Sequence, residues 1–237
     1  MVVLITGASR GIGLELARQY AADGDQVMAT CRQPAAAVEL MAIADRYPGR
    51  VRIEVLDVTD HAAVDALSAR YRGQPIDVLV NNAGDIGPRD PGRSRLHEQH
   101  FGTINFAAWR GVLEINTLAP AKVAEAFVEQ VAASTARRMV FMSSTTGSNV
   151  EGKYATFPYC SSKAALNKVV TMLAIALRPR GITCAAVCPG FVKTRLGGSS
   201  AMLDVETSVT GLREVIAGLT MERTGTFTRY NGEAIPW

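Results

Sequence analysis

The sequence predicts an α/β protein with a doubly wound, mostly parallel sheet of about seven strands and helices on both faces. Two observations lead to this fold class. The first is a series of short segments rich in Val and Ile, which are typical of strands buried on both faces. These segments lie at residues 2–6, 26–30, 51–57, 77–81, 138–143 and 182–187.

The second observation is that segments with helical periodicity alternate with the strands. Gly24 and Gly73 follow two of them and Pro34 precedes a third, as is typical of helix ends and starts. The predicted helices cover residues 12–22, 35–47, 61–72, 106–133 and 159–177. The fourth leaves room for a kink or break at Pro120, which lacks a helical N–H donor. Strict alternation implies right-handed crossovers onto one sheet.

Composition indicates a globular chain that folds as one domain over residues 1–237. Of the 237 residues 48% are hydrophobic and 20% are charged, and no linker rich in Pro, Gly or Ser divides them. The net charge is only +3, and Lys and Arg are spread along the chain. This distribution argues against a nucleic-acid partner.

The sequence shows neither a targeting signal nor a metal motif. Met1 leads directly into a predicted strand, without a secretory signal, and no apolar run approaches the length of a membrane span. Paired spacing is missing among the cysteines, which are Cys31, Cys160, Cys184 and Cys188. We therefore expect a reduced, cytoplasmic protein without a disulfide framework, a metal or a membrane partner.

Three stretches resist assignment to helices or strands, and each follows a predicted strand. They cover residues 85–104, 145–158 and 191–204. In an open parallel sheet, ligands bind outside the carboxyl ends of the strands. Long irregular segments in a compact domain are usually functional. We therefore expect these three loops to build the substrate pocket.

A glycine-rich turn joins the first predicted strand to the first helix and reads Thr6-Gly7-Ala8-Ser9-Arg10-Gly11-Ile12-Gly13. Glycines at such a turn let the backbone approach a pyrophosphate, whose charge the helix N-terminus favours. The spacing GxxxGxG departs from the commoner GxGxxG fingerprint, so an ordinary glycine-rich turn is the alternative. Its position at the first crossover favours a dinucleotide site.

The segment after the second strand favours NADP as cofactor, with NAD as the second choice. An NAD site usually carries an acidic residue here, whereas this sequence reads Ala29-Thr30-Cys31-Arg32. The guanidinium groups of Arg10 and Arg32 could pair with a 2′-phosphate, unless both are solvated surface charges. Asp57, at the end of the third strand, could bind the adenine amino group or cap the helix near Asp60.

Tyr159 and Lys163 are the candidate pair for proton transfer. Their spacing of four places them on one face of a predicted helix, one turn apart. A cation near a phenol favours the phenolate and lowers a pKa that is about 10 in water. The same spacing also occurs by chance on surface helices, so further motifs are needed to support the assignment.

Further motifs occur in a consistent order along the chain: Asn81-Asn82-Ala83-Gly84 after a strand, Asn116 in a long helix, Ser143-Ser144 after a strand, and Pro189-Gly190-Phe191-Val192-Lys193-Thr194 after another. Together with the glycine turn and the Tyr159–Lys163 pair, they resemble the short-chain dehydrogenase/reductase family over essentially the whole chain. The resemblance implies a single-domain Rossmann fold. The closing segment is most similar to the C-factor and sniffer-like carbonyl reductase branch, through Gly225-Thr226-Phe227, Tyr230-Asn231-Gly232 and Ile235-Pro236-Trp237.

The resemblance implies a role for each matching residue. Tyr159 would be the general acid in reduction and the general base in oxidation, and Lys163 would lower its pKa and bind the nicotinamide ribose. Ser144, rather than Ser143, would orient the substrate oxygen, and Asn116 would hold a water beside Lys163. Besides Tyr159 and Lys163, the expected cofactor-binding residues are Gly7, Ser9, Arg10, Ile12, Arg32, Asp57, Val58, Asn81, Ala83, Gly84, Pro189, Gly190, Val192 and Thr194.

Two features depart from the family's pattern. Ser144 and Tyr159 are slightly further apart than is usual, with residues 150–158 forming a longer approach that should reshape the pocket. Asp85 stands where an apolar residue is common, and it would either touch substrate or face water.

The predicted function is transfer of a hydride between a nicotinamide cofactor, NADP(H) in preference to NAD(H), and a small carbonyl or alcohol substrate. The alternative is a dinucleotide-binding regulatory or signalling protein of the C-factor type, with little or no turnover. A related epimerase or dehydratase is disfavoured because the chain lacks the added C-terminal length that such enzymes use. The resemblance further implies a homodimer or homotetramer.

Overall fold

The computed structural model describes residues 1–87, 99–152, 156–198 and 200–237. Over these residues the chain forms one parallel sheet. Its strands are β1 (Val2–Ile5), β2 (Gln26–Cys31), β3 (Val51–Val55), β4 (Val78–Asn81), β5 (Arg138–Met142), β6 (Thr183–Cys188) and β7 (Phe227–Arg229). The helices of the described residues are α1 (Gly11–Ala22), α2 (Val38–Arg46), α3 (His61–Arg70), α4 (Phe106–Leu113), α5 (Ala119–Ala126), α6 (Val128–Ala132), α7 (Phe157–Leu177) and α8 (Val205–Ala217).

The order of the strands indicates where along the sheet a ligand would bind. The order is β3-β2-β1-β4-β5-β6-β7, and every neighbouring pair is parallel. The chain moves outward from β1 to β3 and then returns to β4 on the other side of β1. The carboxyl ends of β1 and β4 therefore flank the point where the winding reverses, which is where open α/β sheets bind ligands. The predicted doubly wound fold class is confirmed.

Both faces of the sheet are covered by helices. Alternate side chains of β1 enter different cores, since Leu4 packs with one cluster whereas Val3 and Ile5 pack with the other. The Leu4 cluster is completed by α3, α5 and α7, and the other by α1, α2 and α8. This two-sided burial explains why the strands read as continuous apolar runs.

The long helix predicted over 106–133 is interrupted in two ways. A π-helical turn, Glu114–Leu118, separates α4 from α5, and Phe127 separates α5 from α6. Pro120 lies just after the π turn, at the start of α5, where the missing proline N–H excludes a regular α-helical bond to Asn116. A π turn accommodates this defect, and such turns are frequent at functional sites. It holds Asn116 fully buried.

One segment, Phe157–Arg180, is long and apolar enough to cross a membrane by length and composition. The sequence had not led us to expect such a segment. Most of it is α7, which buries Leu166, Val170 and Ala174 in the core of the sheet. Core helices of this kind pass the same test of length and composition.

Candidate active site

The glycine turn between β1 and α1 is tightly packed against the segment that follows β4. Gly7 has a φ of +67°, and a Cβ at this position would lie 2.9 Å from the Cα of Ala83. A Cβ at Gly13 would lie 2.4 Å from the carbonyl oxygen of Gly7. Asn82 fixes the turn, because its Nδ2 donates to the carbonyl oxygens of Thr6 (2.9 Å) and Gly7 (3.1 Å). The backbone therefore needs glycine here.

The start of α1 is suited to an anion. Arg10 is its N-cap residue, in extended conformation, and provides no side-chain cap. The N–H groups of the first turn therefore point out of the helix at its positive end. A pyrophosphate fits such a cradle, whose walls are glycines and whose floor is held by Asn82.

Replacing Gly13 with Ala is expected to weaken NADPH binding by about 5- to 100-fold, because overpacking of this kind costs about 1–3 kcal/mol. The new methyl would collide with the carbonyl oxygen of Gly7 and with Nδ2 of Asn82, at 2.5 Å. NADPH fluorescence titration measures the change. Gly218→Ala is the matched control, because Gly218 has a φ of −83° and a Cβ there meets only ordinary contacts. Unchanged affinity in the Gly13 variant would contradict a pyrophosphate site at this turn.

A cavity of about 540 Å³ extends from the glycine turn along the carboxyl edge of the sheet. Most of the predicted cofactor-binding residues border it: Gly7, Ser9, Arg10, Ile12, Arg32, Asp57, Val58, Ala83, Gly84, Tyr159, Lys163, Pro189 and Thr194. The structure thus brings residues from distant parts of the sequence to one cavity. Their direct contacts with a cofactor stay a prediction.

Three predicted cofactor-binding residues, Asn81, Gly190 and Val192, do not border this cavity. Asn81 ends β4 with only 3% of its surface exposed, and its neighbour Asn82 reaches the cavity instead. Gly190 packs against the ring of Tyr230, since a Cβ there would lie 3.2 Å from ring atoms. Val192 is buried in a β-bridge with Leu203. Packing therefore keeps Gly190 and Val192 away from the cavity wall, whereas the amide of Asn81 is buried without a hydrogen-bond partner among the described residues.

Charged side chains gather at the end of the cavity beside β2 and β3. Arg10 and Arg32 are both exposed and border it together with Asp57. Burial alone would raise the pKa of Asp57, but hydrogen bonds from Thr59 and the nearby Arg32 hold it below its ordinary value. The helix-capping role considered for Asp57 belongs to Asp60, which accepts a hydrogen bond from Ala63 N at 3.0 Å. Asp57 is therefore an ionised acceptor at the cavity wall.

Tyr159 and Lys163 lie at the opposite end of the cavity, in the first turns of α7. The Nζ atom of Lys163 donates to the carbonyl oxygen of Met142 at 2.8 Å and lies 5.6 Å from the Tyr159 ring centroid. Burial lowers the pKa of Lys163 to about 8. Burial also raises the pKa of Tyr159, with a further rise from Cys188 and a partial lowering by the hydrogen bond with Ser144.

The direction of the Tyr159 shift is opposite to the one expected from the sequence. A lysine one turn away led us to expect a lowered pKa, but burial is the largest effect on the phenol. Among the protein's own groups, Tyr159 is therefore held firmly as the neutral, proton-carrying phenol. This is the form required of a proton donor.

The two adjacent serines have different partners. Ser143 is 2% exposed, and its hydroxyl donates to Oδ1 of Asn167 at 2.5 Å. Ser144 lies close enough to the phenol to lower the pKa of Tyr159 in part, and it accepts a hydrogen bond from the hydroxyl of Thr146 at 3.0 Å. Of the two, Ser143 borders the cavity and Ser144 does not. Because the Ser143 hydroxyl is already bonded to Asn167 and Ser144 lies beside the phenol of Tyr159, Ser144 stays our choice for the serine that orients a substrate oxygen.

Asn116 ties the loop after β4 to α7. Its Oδ1 accepts from Asp85 N at 2.9 Å, and its Nδ2 donates to Asp85 O at 2.7 Å and to the hydroxyl of Ser162 at 3.0 Å. Both N–H donors of the side chain are thus used within the protein. The expected water would have to bind through another atom of Asn116, whereas the side chain positions Asp85 and the neighbouring Gly84.

Comparisons with known proteins agree with this geometry. A sequence model of the short chain dehydrogenase family matches residues 1–202. The chain belongs to the short-chain dehydrogenase/reductase family. C-signal of Myxococcus xanthus is 35% identical over 166 residues, which are 69% of this chain and 93% of that protein. The 3-oxoacyl-acyl-carrier-protein reductase FabG of Escherichia coli is 30% identical over 81% of this chain and 74% of its own.

Solved structures of short-chain dehydrogenases/reductases superpose on the whole chain. NADPH-bound carbonyl reductase from chicken fatty liver has a TM-score of 0.89 and 30% identity, covering 100% of this chain and 98% of that chain. The carbonyl reductase Sniffer of D. melanogaster has a TM-score of 0.88 and 30% identity, covering 100% and 99%. The predicted similarity to the C-factor and sniffer-like branch is confirmed, and so is the reaction class, an NAD(P)-dependent oxidoreductase.

Some residues of this short-chain dehydrogenase/reductase border the cavity without having been predicted to do so. Glu39, in the first turn of α2, adds an acidic group to the cavity wall. Arg195, next to Thr194, adds a third guanidinium group to those of Arg10 and Arg32. The position of Arg195 beside a recognised motif could have indicated it. Glu39 depends on how α2 packs on the sheet, which no local pattern reveals.

All three predicted loops fall partly outside the described residues. Residues 88–98 of the first loop, 153–155 of the second and 199 of the third are not described. Asp85 is described: it is exposed, borders the cavity, and its Oδ1 accepts from Ile86 N at 2.7 Å. Among the described residues no three His, Cys, Asp or Glu side chains form a group that could hold a metal ion.

Proposed function

We propose that this protein uses NADPH to reduce a small, uncharged carbonyl compound to the alcohol. The observation that carries the proposal is the placement of Tyr159 and buried Lys163 one turn apart in α7, both at the wall of a cavity that also reaches the glycine turn. The NADPH- and NADP-bound carbonyl reductases among the similar structures support the choice of cofactor. The exposed Asp85 at the cavity wall would repel a carboxylate substrate.

Each residue of the site has its own role in the proposed reaction. A nicotinamide cofactor, when bound, supplies or accepts the hydride. In reduction Tyr159 donates its phenolic proton to the carbonyl oxygen, and Ser144 donates a hydrogen bond to the same oxygen. Lys163, one turn along α7, stabilises the phenolate that remains, and Asn116 holds the adjoining loop in place. In oxidation the same tyrosine accepts the proton from the alcohol.

A steady-state assay with NADPH and a panel of aldehydes and ketones tests the proposal. Saturable NADPH oxidation that depends on the carbonyl is expected. Bound NADPH without turnover of any carbonyl would instead favour the alternative, a dinucleotide-binding regulatory or signalling protein. The similarity to C-signal is the observation that supports this alternative.

Replacing Arg32 or Arg10 with Ala should weaken NADPH binding by about five- to fiftyfold and leave NADH binding nearly unchanged, because a charge-assisted contact with the 2′-phosphate is lost. Parallel titrations with both cofactors measure the difference. Arg46→Ala is the matched control, because Arg46 ends α2 and stacks on Tyr47, outside the cavity wall. Equal weakening for NADPH and NADH, or none for either, would contradict a 2′-phosphate site.

We also propose that the protein is cytoplasmic and forms a homodimer or homotetramer. Apolar side chains on the outer face of α7 support self-association, since Met172 and Ile175 are 60% and 75% exposed. Leu118, in the π turn, is 53% exposed. A second copy of the chain would remove such surface from water.

A further inference from the structure

The segment that connects Ser144 to Tyr159 is fixed to α7 in its first part. Nδ2 of Asn167 donates to the carbonyl oxygen of Gly147 at 3.1 Å, and Oδ1 of the same side chain binds Ser143. A Cβ at Gly147 would lie only 2.7 Å from the carbonyl carbon of Lys163. The first part of the segment therefore packs directly on the helix that carries the proton-transfer pair.

The next part of the segment, residues 148–152, is a closed turn. The hydroxyl of Ser148 accepts from Val150 N at 3.2 Å and Glu151 N at 3.0 Å, and Gly152 N donates to the Ser148 carbonyl oxygen at 3.0 Å. Ser148 is 4% exposed. Because these bonds are internal to the turn, contacts with other segments are what fix its position in the fold.

Those contacts come from the segment that follows β6, far along the chain. Glu151 forms an ion pair with Arg229, the last residue of β7. Asn149 N donates to the main-chain oxygen of Trp237 at 3.2 Å. The Trp237 ring stacks on Phe227, with centroids 5.4 Å apart, and Phe227 is 2% exposed. The turn is thus fastened to a part of the molecule anchored in the core.

The same strand end also supports the cofactor side of the site. Arg229 pairs with Cys188 in the register of β6 and β7, and Tyr230 N donates to the Cys188 carbonyl oxygen at 2.9 Å. The Tyr230 ring packs against Gly190. The end of β7 therefore contacts both the Pro189–Gly190 turn and the 148–152 turn.

We propose that the Glu151–Arg229 ion pair and the Asn149–Trp237 hydrogen bond form a clasp that positions Ser144 and Tyr159 against the carbonyl substrate. The proposal rests on the proposed carbonyl-reducing function of this site. The clasp gives the connection between Ser144 and Tyr159 a fixed point at residues 149–151. Proton transfer depends on placement to a fraction of an ångström, so Glu151 and Arg229 are positioning residues.

The test compares Glu151→Gln, Arg229→Met and the double variant with the wild type. Each single change should lower kcat/KM for the preferred carbonyl by about two- to fivefold, as expected for a partly exposed ion pair. NADPH affinity should stay the same, and amide hydrogen exchange at 150–152 should become faster. The double variant should be no worse than the worse single variant, because both changes break one interaction.

Glu233→Gln is the matched control. Glu233 also lies near Arg229, at 3.4 Å, but it does not touch the 148–152 turn. This variant should behave like the wild type in turnover and in amide exchange. Unchanged exchange in Glu151→Gln, or a double variant whose loss is the product of the single losses, would overturn the clasp.

Failure of the clasp and failure of the proposed function can be told apart. If the wild type reduces no carbonyl, the proposed function fails, and amide exchange alone then decides whether the clasp holds the turn. If the wild type turns over but exchange and kcat/KM are the same in Glu151→Gln, the function stands and the clasp is rejected.

Discussion

Replacing Tyr159 with Phe should lower kcat for carbonyl reduction by about 10²- to 10⁴-fold, while NADPH binding stays within about twofold of wild type. The phenol is the proton donor of the proposed reaction, and only its oxygen is removed. The ring still fills its place beside Lys163 and the cavity. Steady-state kinetics and NADPH titration measure the two effects separately.

Tyr47→Phe provides the matched control for this change. Tyr47 is the C-cap residue of α2, on a part of the chain that does not border the cavity. Its variant should keep full activity. Full activity in the Tyr159 variant as well would show that another group carries the proton.

Replacing Lys163 with Met should remove most activity and at the same time stabilise the fold. Turnover should fall by about 10²- to 10⁴-fold, because the phenolate left after proton transfer loses its neighbouring cation. The free energy of unfolding at pH 7 should rise by about 1–2 kcal/mol. The lowered pKa of Lys163 corresponds to a burial penalty of about 3 kcal/mol, partly offset by the lost bond to Met142.

The pH dependence of this stability difference has a definite sign. The folded-state pKa of Lys163 is lowered from 10.5 to about 8, so between these values the unfolded chain binds more protons at this residue. The burial penalty is therefore present in full below pH 8 and fades as the pH rises toward 10.5. The increase in unfolding free energy of Lys163→Met, measured by chemical denaturation at each pH, should therefore become smaller as the pH rises from 8 toward 10.5.

Lys168→Met, on the exposed side of α7, is the control for the lysine change. It should alter neither activity nor the pH dependence of unfolding. A Lys163 variant that is less stable than wild type at pH 7 would contradict the interpretation that this lysine is held at an energetic cost for function.

Much of the fold could be predicted because the buried strands are recognisable in the sequence as short apolar runs. The apolar runs around Leu4, Leu79 and Val140 are buried on both faces, and each became a strand close to its predicted bounds. Helix ends were harder to predict. The helix predicted from Tyr159 begins at Phe157, where Pro158 occupies its first turn.

One helix was missed although its pattern is readable. α8 follows Asp204 and precedes Gly218, and it buries Val209, Leu212 and Val215 at helical spacing. Apolar residues at this spacing, between an aspartate and a glycine, are typical of a helix.

The parts of the site that could not be predicted depend on contacts between distant residues. Tyr159 and Lys163 could be paired from their spacing alone, because one helical turn separates them. The raised pKa of Tyr159 could not be predicted from the sequence, because it depends on how deeply the phenol is buried in the folded chain. The pairing of Glu151 with Arg229 joins residues 78 positions apart, which only the folded chain brings together.

The most direct test of the central claim follows the hydride itself. NADPH deuterated on the transferred position of the nicotinamide is incubated with the wild-type protein and a panel of aldehydes and ketones, and the products are examined by mass spectrometry. An alcohol that carries one deuterium on its carbinol carbon is the expected result. Alcohol without deuterium, or no alcohol although NADPH is bound, would contradict the proposal that this protein is an NADPH-dependent carbonyl reductase.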